Sequence, residues 1–131
     1  MESARTFQEL LGEEVVEASG DKVVVTCRIR PELHQPYGIL HGGVYCSLVE
    51  GAASLAGSLW LGDQGYVVGV VNTTNFIRAT REGTLTATAT PLQRGRTQQL
   101  WQVEVLDDQG RLAAHGQVRL ANIRDADTLG R

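Results

Sequence analysis

The chain has 131 residues, 42% hydrophobic and 21% charged, with a formal net charge of −3 and a pI near 5.6. That length suits one domain, 1–131, with a sizeable core, and the acidic balance offers no basic footprint for nucleic acid. Two cysteines, Cys27 and Cys46, are too few for a disulfide scaffold and fit a reducing, cytoplasmic setting.

Met1 to Thr6 carries early charge and no long apolar run, so no secretory signal is expected there. Thr6 to Leu11 reads as a short helix, with Phe7, Leu10 and Leu11 at helical spacing. Val15-Val16 leads through the turn signal Ala18-Ser19-Gly20-Asp21 into Lys22–Arg30. There Val23, Val25, Cys27 and Ile29 alternate with polar neighbours, as in a strand with one buried face. Pro31 and Pro36 bracket a loop that reaches Leu40.

The next stretch organises the rest. From His41 to Leu61 the sequence is apolar and crowded with Gly, Ala and Ser. Leu48, Ala52, Leu55 and Leu59 mark one helical face, and Tyr45, Val49, Ala53, Ala56 and Trp60 a neighbouring one. A helix apolar on nearly all sides is expected to be buried, with small residues letting other backbone come close. Its one formal charge, Glu50, would then be a carboxylate removed from water at a cost. The same carboxylate argues against a membrane span, so no membrane partner is expected. Gly62 is placed to cap the helix in a left-handed conformation.

Four strands are predicted after the helix, linked as a meander. Tyr66–Ile77 turns at Arg81-Glu82-Gly83 into Thr84–Leu92. Arg94-Gly95-Arg96 turns into Thr97–Leu106, and Asp107-Asp108-Gln109-Gly110 into Arg111–Ile123. The polar tail from Arg124 is expected to fray. These elements make an α+β domain in which an antiparallel sheet wraps around one long central helix. Tyr66–Ile77 is apolar at consecutive positions, so another subunit is expected to cover one sheet face, making the chain a homo-oligomer.

Chemistry could concentrate on the helix. Glu50 and Ser54, at i and i+4, share a face. Gly42 and Gly43 begin the helix, where N–H groups lack intrahelical partners and could receive a developing oxyanion. Such an electrophile-polarising terminus beside a carboxylate suits acyl transfer. Each feature also has a plainer reading. Glu50 could be an ion-pair or interface residue, the glycines a tight approach to the helix, and Ser54 a hydroxyl bonded back to the helix. On the same view His41 is a capping or positioning residue and Cys46 a small buried hydrophobe. No Gly-x-Ser-x-Gly elbow is present, and His34, His41 and His115 lack metal-site spacing, so no metal is expected.

Gln35-Pro36-x-Gly38-x-x-His41-Gly42-Gly43, with Glu50 and Ser54, resembles the hotdog-fold acyl-CoA thioesterases. The likeness is to the phenylacetate-pathway type, and especially to the hydroxybenzoyl-CoA thioesterase subclass with a helix-borne glutamate. The likeness covers about residues 5 to 123 and is specific from Gln35 to Ser54. It implies Glu50 as the catalytic nucleophile or base toward water, with the Gly42 N–H polarising the thioester carbonyl. Gln35 would lie near the thioester and Ser54 would position water; His41 is counted with these catalytic residues, and Gly43 with those that bind substrate. It also implies a site built across a dimer interface, with pairs of dimers forming a tetramer. Val70–Phe76, including Asn72 and Thr73, would line the pantetheine and acyl channel. Arg78, Arg94 and Arg96, at strand ends and turns, could hold the phosphates of coenzyme A; a solvated basic turn is the alternative for each. The expected reaction releases a free acid and coenzyme A from a small or aromatic acyl-CoA, with coenzyme A entering only as part of substrate and product. Two rival readings are a non-catalytic acyl-CoA-binding hotdog module and a hotdog dehydratase or hydratase. The loop Pro31–Leu40 lacks the Asp that the hydratases would supply.

Overall fold

A computed structural model describes residues 5–124. The polar tail predicted to fray lies, beyond Arg124, outside the described residues. The short helix α1 spans Phe7–Leu11. The Thr6 hydroxyl accepts the Glu9 N–H at its start, and Gly12, with φ 82°, closes it in the left-handed conformation. Strands β1 (Glu13–Ala18) and β2 (Val23–Arg28) form a hairpin in which Val23, Val25 and Cys27 are buried, as the alternation requires. The loop from Pro31 makes one tight turn and a bridge between His34 and Leu40 before the central helix α2, Gly42–Leu61.

Strands β3 (Tyr66–Phe76), β4 (Thr84–Arg94), β5 (Gln98–Leu106) and β6 (Leu112–Ile123) complete one antiparallel sheet of order β1-β2-β4-β5-β6-β3. The sheet curls around α2, which touches every strand, so the hotdog arrangement holds. Val44, Tyr45, Leu48, Val49, Ala52, Ala53 and Ala56 of α2 pack on Trp101, Val103, Val118 and Leu120 of the sheet. By length and hydropathy α2 could cross a membrane, and half of that stretch is buried in the fold, which accounts for its apolar character.

Three expectations need correction. The strands after α2 are not a simple meander: β3 pairs with β6 at the far edge, and no hairpin joins it to β4. The segment between them crosses near the start of α2, held by Leu40 N–H to Thr80 O and by the Tyr45 hydroxyl to Arg78 O. Gly62 is not a simple left-handed cap. Its φ is 64° but its ψ is −135°, and the chain continues into one more turn, Gly62–Gln64. Nor is α2 buried all round. Glu50, Ser58 and Leu59 are exposed in the single chain, so the carboxylate of Glu50 is not desolvated by its own fold.

The edge strand β3 carries the apolar surface left over. Val70 and Val71 are about half exposed (53% and 52%), and Phe76 and Ile77 follow at 58% and 54%. A sheet edge with unpaired backbone groups and apolar side chains is a template for pairing with another chain.

Candidate active site

The first turn of α2 is shaped by His41. As the N-cap, its Nδ1 accepts the Gly43 N–H at 2.8 Å, which requires that nitrogen to be unprotonated. Among the described residues no group accepts the Gly42 N–H. The Gly42 donor is therefore open, while the Gly43 donor is already used. A Cβ on Gly42 would stand 2.7 Å from Cε2 of the exposed Phe76, so a side chain there would push that ring away from the helix start. Phe76 in turn leans on Tyr45, with ring centroids 5.9 Å apart. Around this point Gln35, Gly42, Tyr45, Phe76 and Arg78 line a depression of about 280 Å³. The Gln35 side-chain carbonyl accepts the Tyr37 N–H, which fixes the side chain within its own loop.

Glu50 lies elsewhere. Eight residues separate it from Gly42, about 12 Å of helix rise. It lines a second depression, of about 210 Å³, with Phe7, Cys46, Ser47 and Asn72. Its carboxyl faces β3 at Gly69, where an added Cβ would stand 3.6 Å away. Asn72 fastens β3 to α2 by donating from Nδ2 to Cys46 O at 2.9 Å, and its Oδ1 accepts the Thr74 hydroxyl at 2.6 Å. Thr73, the next residue along the strand, points to the other face of β3, away from Glu50. A single chain therefore brings Glu50 and Asn72 together, and separately Gln35, Gly42 and Arg78, but does not join the two sets.

The remaining expected residues also have definite places. Ser54 is half-buried one turn beyond Glu50 and makes no hydrogen bond among the described residues. The back-bond expected of it is made by Ser47, whose Oγ donates to Gly43 O at 2.7 Å. Cys46 is not a buried hydrophobe; it is half-buried and lines the depression beside Glu50. Arg94 lies toward the far end of α2. It donates to Asp21 Oδ1 at 2.7 Å and to Gly20 O at 2.8 Å, and its guanidinium sits 5.8 Å from the Trp60 ring centre. Those contacts give it a structural task, away from Glu50. Arg96 is exposed on the β4–β5 turn, where its carbonyl accepts from Asn122 and Arg124.

Two residues were missed in the sequence. Phe7 and Ser47 line both the Glu50 depression and a larger, mainly apolar one of about 400 Å³ that also involves Leu11, Leu33, His41 and Val44. Together these make a groove between α1 and α2 that runs from the helix start to Glu50. The helical spacing of Phe7 was legible, but nothing in it said that α1 would lie against α2.

Glu13 is also unforeseen. Among the described residues its Oε1 is a buried side-chain oxygen with no hydrogen-bond partner, and desolvation raises its carboxyl from the ordinary 4.5 to about 7. An unpaired buried polar group costs about 1–3 kcal/mol.

With this geometry in view, the comparisons with known proteins define the class. The thioesterase superfamily model matches residues 37–114, the span from the loop before α2 to β6. The Mycobacterium tuberculosis protein Rv1847 is 46% identical over 120 residues, covering 89% of this chain and 86% of its own. Its solved structure gives a TM-score of 0.89 over 91% of this chain and 97% of that one. The proofreading thioesterase EntH of Cronobacter turicensis is 36% identical over 109 residues, covering 83% of this chain and 80% of that protein. The 1,4-dihydroxy-2-naphthoyl-CoA hydrolase of Listeria monocytogenes is 33% identical over 106 residues, covering 81% and 86%. The protein is a thioester hydrolase. It belongs to the thioesterase superfamily, in its hotdog fold.

The raised carboxyl of Glu13 makes a stability prediction. Its folded value lies above its ordinary one, so its contribution is fully present below about pH 4.5 and is lost as pH rises through about 7. Melting temperature should therefore fall across that window in the wild type, and Glu13→Gln should flatten the fall. Scanning calorimetry from pH 4.5 to 8 checks this; parallel curves for the two proteins would contradict it.

Proposed function

We propose that this thioesterase hydrolyses acyl-CoA thioesters to a free acid and coenzyme A, in a site completed by two copies of the chain. The observation that carries this reading is the separation of Gly42 and Glu50 within one chain. An open N–H donor and an exposed carboxylate sit in different depressions, and the apolar edge strand β3 borders both. Pairing two copies edge to edge along β3 would cover Val70, Val71 and Phe76. It would also bring the Gly42 end of one copy toward the Glu50 of the other.

In such a site the thioester carbonyl oxygen accepts from the Gly42 N–H, whose position at a helix N-terminus favours developing negative charge. Glu50 acts from the opposite side, either attacking the carbonyl carbon itself or taking a proton from the water that attacks. The C–S bond breaks, the thiolate of coenzyme A leaves and is protonated, and the acid is released. Gln35 holds the thioester region, and Ser54, one turn from Glu50, orients the water. The mechanism calls on no metal. Arg78, exposed beside the Gly42 depression, is the better anchor for coenzyme A phosphates, because Arg94 is already held by Asp21. The Listeria relative, a hydrolase of the aromatic 1,4-dihydroxy-2-naphthoyl-CoA, supports a small or aromatic acyl group here. We place the protein in the cytoplasm as a homo-oligomer, a tetramer built from two dimers.

Two measurements test this reading. Glu50→Gln keeps the shape of the side chain but removes its basic and nucleophilic character. It should lower kcat by at least about 100-fold while acyl-CoA affinity, oligomeric mass and melting temperature change little. Intact turnover with altered stability would remove Glu50 from the chemistry. For the arginines, Arg78→Ala should raise KM more than it lowers kcat, whereas Arg94→Ala should lower the melting temperature and leave KM alone. The reverse pattern would return the phosphate contact to the β4–β5 turn.

A further inference from the structure

The groove between α1 and α2 is divided in two. Its smaller part, about 210 Å³, holds Glu50 with Cys46 and Asn72, and its larger part, about 400 Å³, runs to His41 and Val44 at the start of α2. Among the described residues only Phe7 and Ser47 line both parts. Ser47 is fixed to its own helix, because its Oγ donates to Gly43 O at 2.7 Å. Phe7 stands on the opposite wall, at the first position of α1, and is 56% exposed. Its ring is therefore the one part of the division that can change size without disturbing the core.

The fastening of α1 supports this. Among the described residues, the hydrogen bonds that tie it to the rest of the fold gather at its C-terminal end. There Arg30 donates to the carbonyls of Leu10 and Leu11, and Cys27 Sγ contacts Leu11 O at 3.4 Å. Leu11 is buried, so the helix keeps its anchor whatever side chain stands at position 7. The larger part of the groove also has a definite chemistry, because its polar groups are already paired. His41 Nδ1 accepts the Gly43 N–H, His34 Nε2 donates to Arg81 O at 2.8 Å, and the Ser47 hydroxyl is engaged as above. Glu32 is exposed and lies 4.0 Å from Arg30. What remains is the apolar wall of Leu11, Leu33 and Val44, a lining that suits a hydrocarbon chain rather than a polar group.

We propose that Phe7 is a specificity-determining residue: its ring closes the inner end of the depression beside Glu50 and so sets the length of acyl chain that fits. This rests on the reading that Glu50 acts at the thioester, which puts the acyl group in the depression that the carboxylate lines. A short or compact acyl group ends before the ring. A longer straight chain reaches the larger, apolar part only by displacing the ring, and is buried there only if the ring gives way. A small side chain at position 7 joins the two parts into one channel, and a bulkier one shortens the part beside Glu50.

The test measures kcat/KM for acetyl-, butyryl-, hexanoyl-, octanoyl- and decanoyl-CoA in the wild type, Phe7→Ala and Phe7→Trp, with a melting curve for each protein. The octanoyl-to-butyryl ratio should rise by about 10-fold or more in Phe7→Ala and fall in Phe7→Trp, since each methylene in an apolar pocket is worth about 10-fold or more. Opposite shifts cannot come from a loosened fold, which would lower every chain length together. Calorimetric binding of the matching oxoalkyl-CoA thioethers, which keep the carbonyl but cannot be hydrolysed, should move in Kd the same way. An unchanged ratio in Phe7→Ala, or an equal loss at all lengths in both variants, overturns the proposal and leaves the role of Glu50 intact. A Glu50→Gln enzyme that stays active defeats the catalytic reading instead, while the Phe7-dependent order of thioether binding is still read.

Discussion

Everything in this fold depends on how closely α2 can lie inside the curled sheet. Ala52, Ala53 and Ala56 have no exposed surface, and a Cβ on Gly57 would stand 2.4 Å from Leu120 Cδ1. Larger side chains on that face would push the sheet outward and leave voids that cost stability. Close approach also sets the chemistry. With the helix so near β3, Asn72 can fasten strand to helix, Phe76 can close over Gly42, and Glu50 can face Gly69 across the gap.

A helix enclosed on most sides has few places to present reactive groups, and this one uses two. Its N-terminus offers an N–H that His41 leaves open by capping the next one along. Its lateral face, at Glu50, is exposed because β3 ends the sheet there. The two places are a little over two turns apart on one helix, so no bending of a single chain is needed to explain them; a second copy lying along β3 suffices. On the proposed reading, the same edge strand that would otherwise be an aggregation hazard is what would make a complete site from incomplete halves.

Much of this was legible in the sequence for physical reasons. The run from His41 to Leu61 could hardly be other than a central helix, given its small apolar residues and lone charge. The alternation of Val23, Val25 and Cys27 marked a strand with one buried face. What failed was what local pattern does not encode. Turn residues at Arg81-Glu82-Gly83 look like a hairpin, yet the partner of β3 is decided by where α2 delivers the chain. The burial of Glu50 was overestimated because helical periodicity gives faces but not which of them the sheet leaves open. Arg94 and Arg96 look alike in sequence, and only the contacts with Asp21 and Trp60 separate them. Glu13 reads as one more polar residue near a turn; its burial follows from the β1–β2 register and from the missing side chain at Gly51.

The central claim is that each chain carries half a site, and complementation tests it most directly. Glu50→Gln removes the carboxylate half, and Gly42→Pro removes the N–H donor half while also displacing the Phe76 ring. Prepared alone, each should be nearly inactive. Mixed after dissociation and allowed to reassociate, half of the dimers formed at random contain one of each chain. Each such dimer holds one intact site of two, restoring about a quarter of wild-type kcat per chain. Recovery to about that level is the result the shared site predicts. Two inactive variants that stay inactive when mixed, with mass measurements showing that mixed dimers have formed, would contradict it.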